Sequence, residues 1–135
     1  MGIPNWNNEP GLNHVGAYQV SGRPFAKGGI DATSSPPVKV EFPTVTRWIT
    51  IINNDTSNVC KVGFSALGIA GDNYFTVHAK AASGQPCSVR LEVKVSEIWL
   101  STSDDVDIVA GLTGVPVGRA STSLGTSFSG SSGVG

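Results

Sequence analysis

CSVRLEVKVS, residues 87–96, is the stretch whose reading decides the fold. In an extended chain Cys87, Val89, Leu91, Val93 and Val95 fall on one side, and Ser88, Arg90, Glu92, Lys94 and Ser96 on the other. Strict alternation is the period of a strand with one face in a core and one in water, whereas a helix would scatter these residues around its surface. The phase then slips. Ile98 and Leu100 are out of step with Val95, which predicts a bulge or a tight turn near Ser96.

Upstream, Val38, Val40 and Phe42 alternate with Lys39 and Glu41 until Pro43 closes the run. Thr46 to Asn53 is rich in β-branched residues. There Ile49 and Ile51 share one face while Trp48 and Ile52 take the other, as in a strand that is central or covered at an interface. Asn53 to Asn58 is a dense turn signal, so Val59 to Ala66 is expected to pair back as a hairpin. A loop at Gly68–Asn73, a strand at Tyr74–Ala79 and a turn at Ser83–Pro86 follow. Downstream, Asp104-Asp105 marks a turn before the last strand, Val106, Ile108, Ala110 and Leu112, which ends before Pro116. Nearer the N-terminus, Ala17–Val20 reads as a short strand. Gly28–Pro37, with its Gly-Gly, Ser-Ser and Pro-Pro pairs, reads as an irregular connection.

Glycine and proline fall too often for an amphipathic helix of useful length. Eight short strands separated by frequent turns point to an all-β sandwich or barrel, and a single eight-stranded jelly roll suits this strand number. The expected organisation is an irregular N-terminal arm over residues 1–16, a jelly-roll domain over 17–116, and a Ser/Gly-rich tail over 117–135. From Ala120 to Gly135 no residue is charged, and that composition builds no core of its own. The tail is therefore expected to pack on neighbouring subunits.

Only 14% of the 135 residues are charged, well below the usual quarter, and Ser, Thr, Asn and Gly take their place. Such surfaces suit contact with other surfaces. A net charge of −1 and nine scattered basic residues supply no field for phosphate neutralisation, so a nucleic-acid partner is not expected. No run of apolar residues is long enough for a membrane span. The first residues, MGIPNWNNEP, lack the basic and apolar regions of a secretory leader, and Trp6 stands where a myristoylation signal wants Ser or Thr. Cys60 and Cys87 allow one disulfide, worth roughly 3–4 kcal/mol for a loop of that length, or two reduced buried thiols. Without a secretory leader the reduced pair is expected.

Chemistry is thin. His14 and His78 sit on separate segments, and no nucleophile elbow, phosphate-cradling loop or zinc-type spacing is present. Asp104, Asp105 and Asp107 lack the rest of a calcium loop and read as turn formers. Asn54-Asp55-Thr56 matches a glycosylation sequon by chance. No catalysis, metal or cofactor is expected. The aromatics carry the alternatives: Trp48 and Trp99 are out of phase with the main apolar face of their strands, which suits a protein contact or a platform for stacking on sugars.

The succession NHVGAYQVSGRPF (13–25) and the blocks RWITIINN (47–54), KVGFSALGI (61–69), NYFTV (73–77), LEVKVSEIWLS (91–101) and DVDIVAGLTGVP (105–116) resemble small single-jelly-roll capsid proteins. In particular they resemble the penton, or vertex, proteins of large icosahedral double-stranded-DNA viruses of algae and other protists. The resemblance spans residues 10–116 and leaves the tail unmatched. It implies a structural virion protein made in the host cytoplasm, with five copies capping each fivefold vertex beside major and minor capsid proteins. It implies no catalytic residues, no cofactor, no nucleic acid and no direct membrane insertion. Trp6, Trp48, Trp99 and Phe128 are then the candidate subunit-interface residues. A minor capsid, decoration or spike-base subunit is an alternative, and a carbohydrate-binding adhesion module another.

Overall fold

A computed structural model of the chain describes residues 23–33, 37–80, 84, 87–123 and 125–135. The arm at 1–16, Trp6, His14, the strand expected at 17–20 and most of the turn at 83–86 lie outside the described residues. The strands are β1 (Pro24–Ile30), β2 (Val38–Glu41), β3 (Thr46–Asn53), β4 (Cys60–Gly63), β5 (Tyr74–Val77), β6 (Cys87–Leu91), β7 (Glu97–Ser101) and β8 (Val106–Leu112). A five-residue helix, α1 (Ala66–Ala70), and a 3-10 turn at Val117–Ala120 are the helical elements among the described residues.

The strands form two antiparallel four-stranded sheets, ordered β1-β8-β3-β6 and β2-β7-β4-β5. The pairs β1–β8, β2–β7, β3–β6 and β4–β5 nest one inside the next, as in one long hairpin whose tip is β4–β5. The pairs β3–β8 and β4–β7 then stitch each sheet together. Between the sheets Ile49, Ile51, Ile108 and Ala110 meet Ile98, Leu100, Val40 and Val62, all fully buried or nearly so. Each large member of this set contributes on the order of 1.5–3 kcal/mol by leaving water. Along β8 buried and half-buried residues alternate from Val106 to Leu112, the period expected of its sequence.

The strands expected near 38–42, 46–53 and 106–112 form at those places. The slip near Ser96 has a specific cause: β6 belongs to the first sheet and β7 to the second, so the chain crosses the sandwich there. Inward alternation continues past the end of β6, with Val93 half-buried and Val95 buried. Thr46 Oγ1 fastens the crossing, donating to the Val93 carbonyl at 2.8 Å and accepting from Val95 N–H at 3.2 Å.

The hairpin expected after Asn58 does not form. β4 lies in the second sheet, between β7 and β5, and both edges of β3 are taken by β8 and β6. Turn residues record a change of direction and not the partner of the next strand. β1 was not evident from the sequence either: along PFAKGGI only Ile30 is buried, Gly29 has φ 64°, and the register shifts between Lys27 and Ile30. An edge strand opened by proline has almost no alternation to read.

At one end of the sandwich a polar hub ties the turns together. Asn53, fully buried, donates from Nδ2 to the carbonyls of Asn58, Val77 and His78 at 3.1–3.2 Å. Its Oδ1 accepts from Ser103 Oγ at 2.7 Å and Asp55 N–H at 3.1 Å. Asp55 accepts from the N–H groups of Ser57, Asn58 and Asp104 and from Asn58 Nδ2. These donors hold its carboxyl well below the ordinary value, the Ser57 N–H most of all. Thr102 sits next to the hub at φ 74°, unusual for a β-branched residue, with its hydroxyl donating to the Val59 carbonyl.

The other end holds the tail. Ala120 is buried with Val45 and Val115, and Phe128 packs on this cluster and on the main core. Ser127 is fully buried, and its Oγ accepts from Ser96 N–H at 3.1 Å. The sequence placed the tail's support outside the domain; these anchors are within it. They work because a methyl group, one buried hydroxyl and one aromatic ring make the contacts, which Ser/Gly-rich composition does not forbid.

Candidate subunit-contact surfaces

Trp48 and Trp99 come to lie on opposite outer faces of the sandwich. On the first sheet Trp48 lies across Gly111, its partner on β8, so closely that a Cβ on Gly111 would stand 2.3 Å from the indole nitrogen. Arg90 from β6 stacks 4.9 Å over the Trp48 ring and pairs with Glu92 at 3.0 Å. Thr50, Ile52 and Val109, all half-buried, complete this face. Their inward neighbours Ile49, Ile51 and Ile108 fill the core, which is why strand geometry delivers these side chains outward. The result is a patch in which the indole, Ile52 and Val109 are bordered by the Arg90–Glu92 ion pair and by Asp107.

On the second sheet Trp99 stands between inward Ile98 and Leu100 and pairs across the ladder with Lys39 and Gly63. Its indole N–H donates to Glu97 Oε2 at 2.8 Å, and Thr126 Oγ1 donates to Glu97 Oε1 at 2.5 Å. Glu97 is buried, so these two donors compensate its desolvation. Lys39 Nζ lies 5.7 Å from the ring centroid. Its 2.6 Å contact with Glu41 raises its pKa above the ordinary value, helped by the charge of Glu97 and opposed by partial burial.

The helix α1 sits on this same face. Gly63 makes room for it: a Cβ there would stand 2.8 Å from Ile69 Cβ. Ser65 caps the helix by accepting from Gly68 N–H at 2.9 Å. Leu67 projects 78% exposed, the most exposed of the large apolar side chains described. Between Leu67, Trp99, Lys39 and the tail runs a groove of about 410 Å³. Tyr74 shares this face across Gly63, but Ile69 on Gly63 separates it from Trp99, and Lys61 lies 4.8 Å over its ring. Among the described residues no continuous aromatic row crosses either sheet.

The remaining sequence candidates are dispersed. Phe128 is half-buried in its own domain's packing, and Trp6 is outside the described residues. His78 is exposed, and its carbonyl serves Asn53. Asp107 accepts from Gly29 N–H at 3.0 Å and from Asn54 Nδ2 at 2.9 Å, so the sequon asparagine is already engaged. The hub carboxylate Asp55 raises the pKa of Asp104. Among the described residues no group of three or more His, Cys, Asp or Glu is placed to hold a metal ion. Cys60 and Cys87 are free thiols, and burial pushes Cys60 up to about 12, where it is unreactive.

Leu67, Glu97, Gly63 and Gly111 were missed by sequence reasoning. Glu97 had a signal: an acid between apolar residues, two positions before a tryptophan whose N–H needs a partner. No helix among the described residues is long and apolar enough to cross a membrane. No protein-family model, curated protein or solved structure matches the chain.

Proposed function

We propose that this chain is a structural capsid protein, a single jelly roll whose copies associate into the pentameric capsomer at icosahedral vertices. Nesting of the strand pairs around a β4–β5 tip, divided over two sheets, supports the jelly-roll reading, because wrapping one long hairpin produces that order. The observation that carries the assembly reading is the pair of unlike patches on opposite faces: Trp48 with Arg90 on one, Trp99 with Leu67 on the other. A closed ring needs two different, mutually complementary surfaces on each subunit. Low charge and an uncharged tail suit burial against neighbours in a shell. The interrupted aromatics weigh against a sugar platform.

Native mass spectrometry of the purified chain tests this. A species at five times the 13.9-kDa chain mass is expected, and Trp48→Ala should abolish it while the subunit stays folded, with a moderately lowered thermal midpoint. A trimer would favour a decoration or spike-base subunit. A monomer at every concentration, with and without major capsid protein, would overturn the reading.

A further inference from the structure

Residues 129–135 occupy a seat on the outer face of the second sheet, and the seat is unusually undemanding of side chains. Ser65 Oγ donates to the carbonyls of Val134 and Gly135 at 2.8 and 3.0 Å. Gly68 lets the segment lie directly on α1: a Cβ there would stand 2.0 Å from the Val134 carbonyl oxygen. Val134 also closes an apolar cleft of about 310 Å³ with Phe64, Val93, Val95 and Phe128. Within the segment Gly130 N–H donates to Gly135, and the N–H groups of Val134 and Gly135 donate to the Ser131 carbonyl; Ser129 and Ser131 also donate to the Thr126 and Phe128 carbonyls, and Thr122 Oγ1 donates to the Ser129 carbonyl.

We infer that this seat accepts the 129–135 segment of a second copy of the chain, so that neighbouring subunits exchange their C-terminal segments. The inference rests on the assembly reading above and names a contact within it. Four points favour exchange. The segment brings no charged side chain to the seat, and its contacts are chemically the same within one chain or between two, so exchange loses little of what holds it. The segment is joined to the domain through Ser127 and Phe128, both left-handed at φ 50° and 62°, followed by Gly130 at φ 84°. Two consecutive non-glycine residues in that region store strain of order 1–3 kcal/mol each, which an extended exit from the domain would relieve. Seven residues reach roughly 20 Å when extended, enough to leave one seat for that of an adjoining subunit. Beside the seat, exposed Leu67 and half-buried Trp99 offer apolar surface that the chain's own segment leaves uncovered.

The test replaces Val134 with a photoreactive diazirine analogue of similar size, and mixes equal amounts of isotopically heavy and light full-length chains before assembly. Irradiation followed by peptide mass spectrometry should give cross-links to the Ser65–Ala70 stretch in which heavy and light peptides are joined. With complete exchange these mixed pairs approach half of all such links. In Gly68→Ala, whose new methyl group fills the seat, both mixed and unmixed links should fall at least fivefold. A pentamer whose links are all heavy–heavy or light–light would overturn exchange and leave the assembly reading standing. A chain that stays monomeric under all conditions, with unmixed links only, would overturn both.

Discussion

The hub around Asn53 and the tail after Ala120 are both turn-rich stretches of Asn, Ser, Thr and Gly, yet they are fastened by opposite means. The hub is held by side chains: one buried amide and one carboxylate collect nine hydrogen bonds from three connections. The tail is held up to Phe128 by two hydroxyls, of Thr126 and Ser127, and one ring, and beyond Phe128 it offers Ser65 only backbone oxygens beside a glycine-to-glycine approach. Side-chain fastening is specific, since no other residue offers the same donors and acceptors at that place. Backbone fastening is transferable, because any copy of the segment offers it. Within one small sandwich, the hub thus fixes the fold while the end of the tail is held by contacts that any copy of it offers.

The largest effect expected from this contrast is at Asn53. Asn53→Ala leaves the buried Val77 carbonyl and the part-buried carbonyls of Asn58 and His78 without their donor and removes the acceptor of Ser103 and Asp55, a loss of about 3 kcal/mol. Urea denaturation measures it, and a loss below about 1 kcal/mol would break the distinction between hub and tail. Phe128→Ala comes next. The ring is only half-buried, so about 2 kcal/mol is expected, less than a fully buried phenylalanine would cost. Removing residues 129–135 and leaving Phe128 in place should cost much less. Equal losses from these two variants would mean that the segment beyond Phe128, not the ring, anchors the tail.

Much of this division was legible in the sequence, and the missing part has a physical explanation. Alternation gave β2, β3, β6 and β8, because a strand with one buried face must repeat every second residue. It gave neither the hairpin partner of β3 nor the existence of β1, because pairing across sheets and edge strands leave no local trace. The phase slip after Val95 was visible, but its cause, a change of sheet, is a property of the whole fold. Trp48 and Trp99 were correctly separated from the core by phase. Their placement on opposite faces needed the strand order, and the packing beside them needed Gly63 and Gly111, whose role shows only where another side chain lies on top. The tail's anchors within its own domain, Ala120, Ser127 and Phe128, left no trace in its Ser/Gly composition, which is silent about single buried hydroxyls and rings.

The smallest expected effect shows only in acid, and it separates hub from tail most cleanly. Asp55 has its folded-state pKa depressed by the N–H groups of Ser57, Asn58 and Asp104, so its contribution is fully present above the unfolded value of 3.8. That contribution is lost as pH falls below 3.8 towards the folded value. Asp104 runs the other way: Asp55 raises its pKa, so it favours the fold more when protonated and loses that contribution as pH rises through the folded value. Asp55 dominates, since four hydrogen bonds converge on its carboxylate. Urea midpoints between pH 3 and pH 7 should therefore fall towards the acid end in the parent chain and in Phe128→Ala alike. In Asp55→Asn, which carries no titrating proton there, the slope should flatten. A chain without residues 129–135 should keep most of the parent slope, because Asp55 and its donors lie at the other end of the sandwich; loss of most of the slope on removing the segment would mean that hub and tail are coupled through the core.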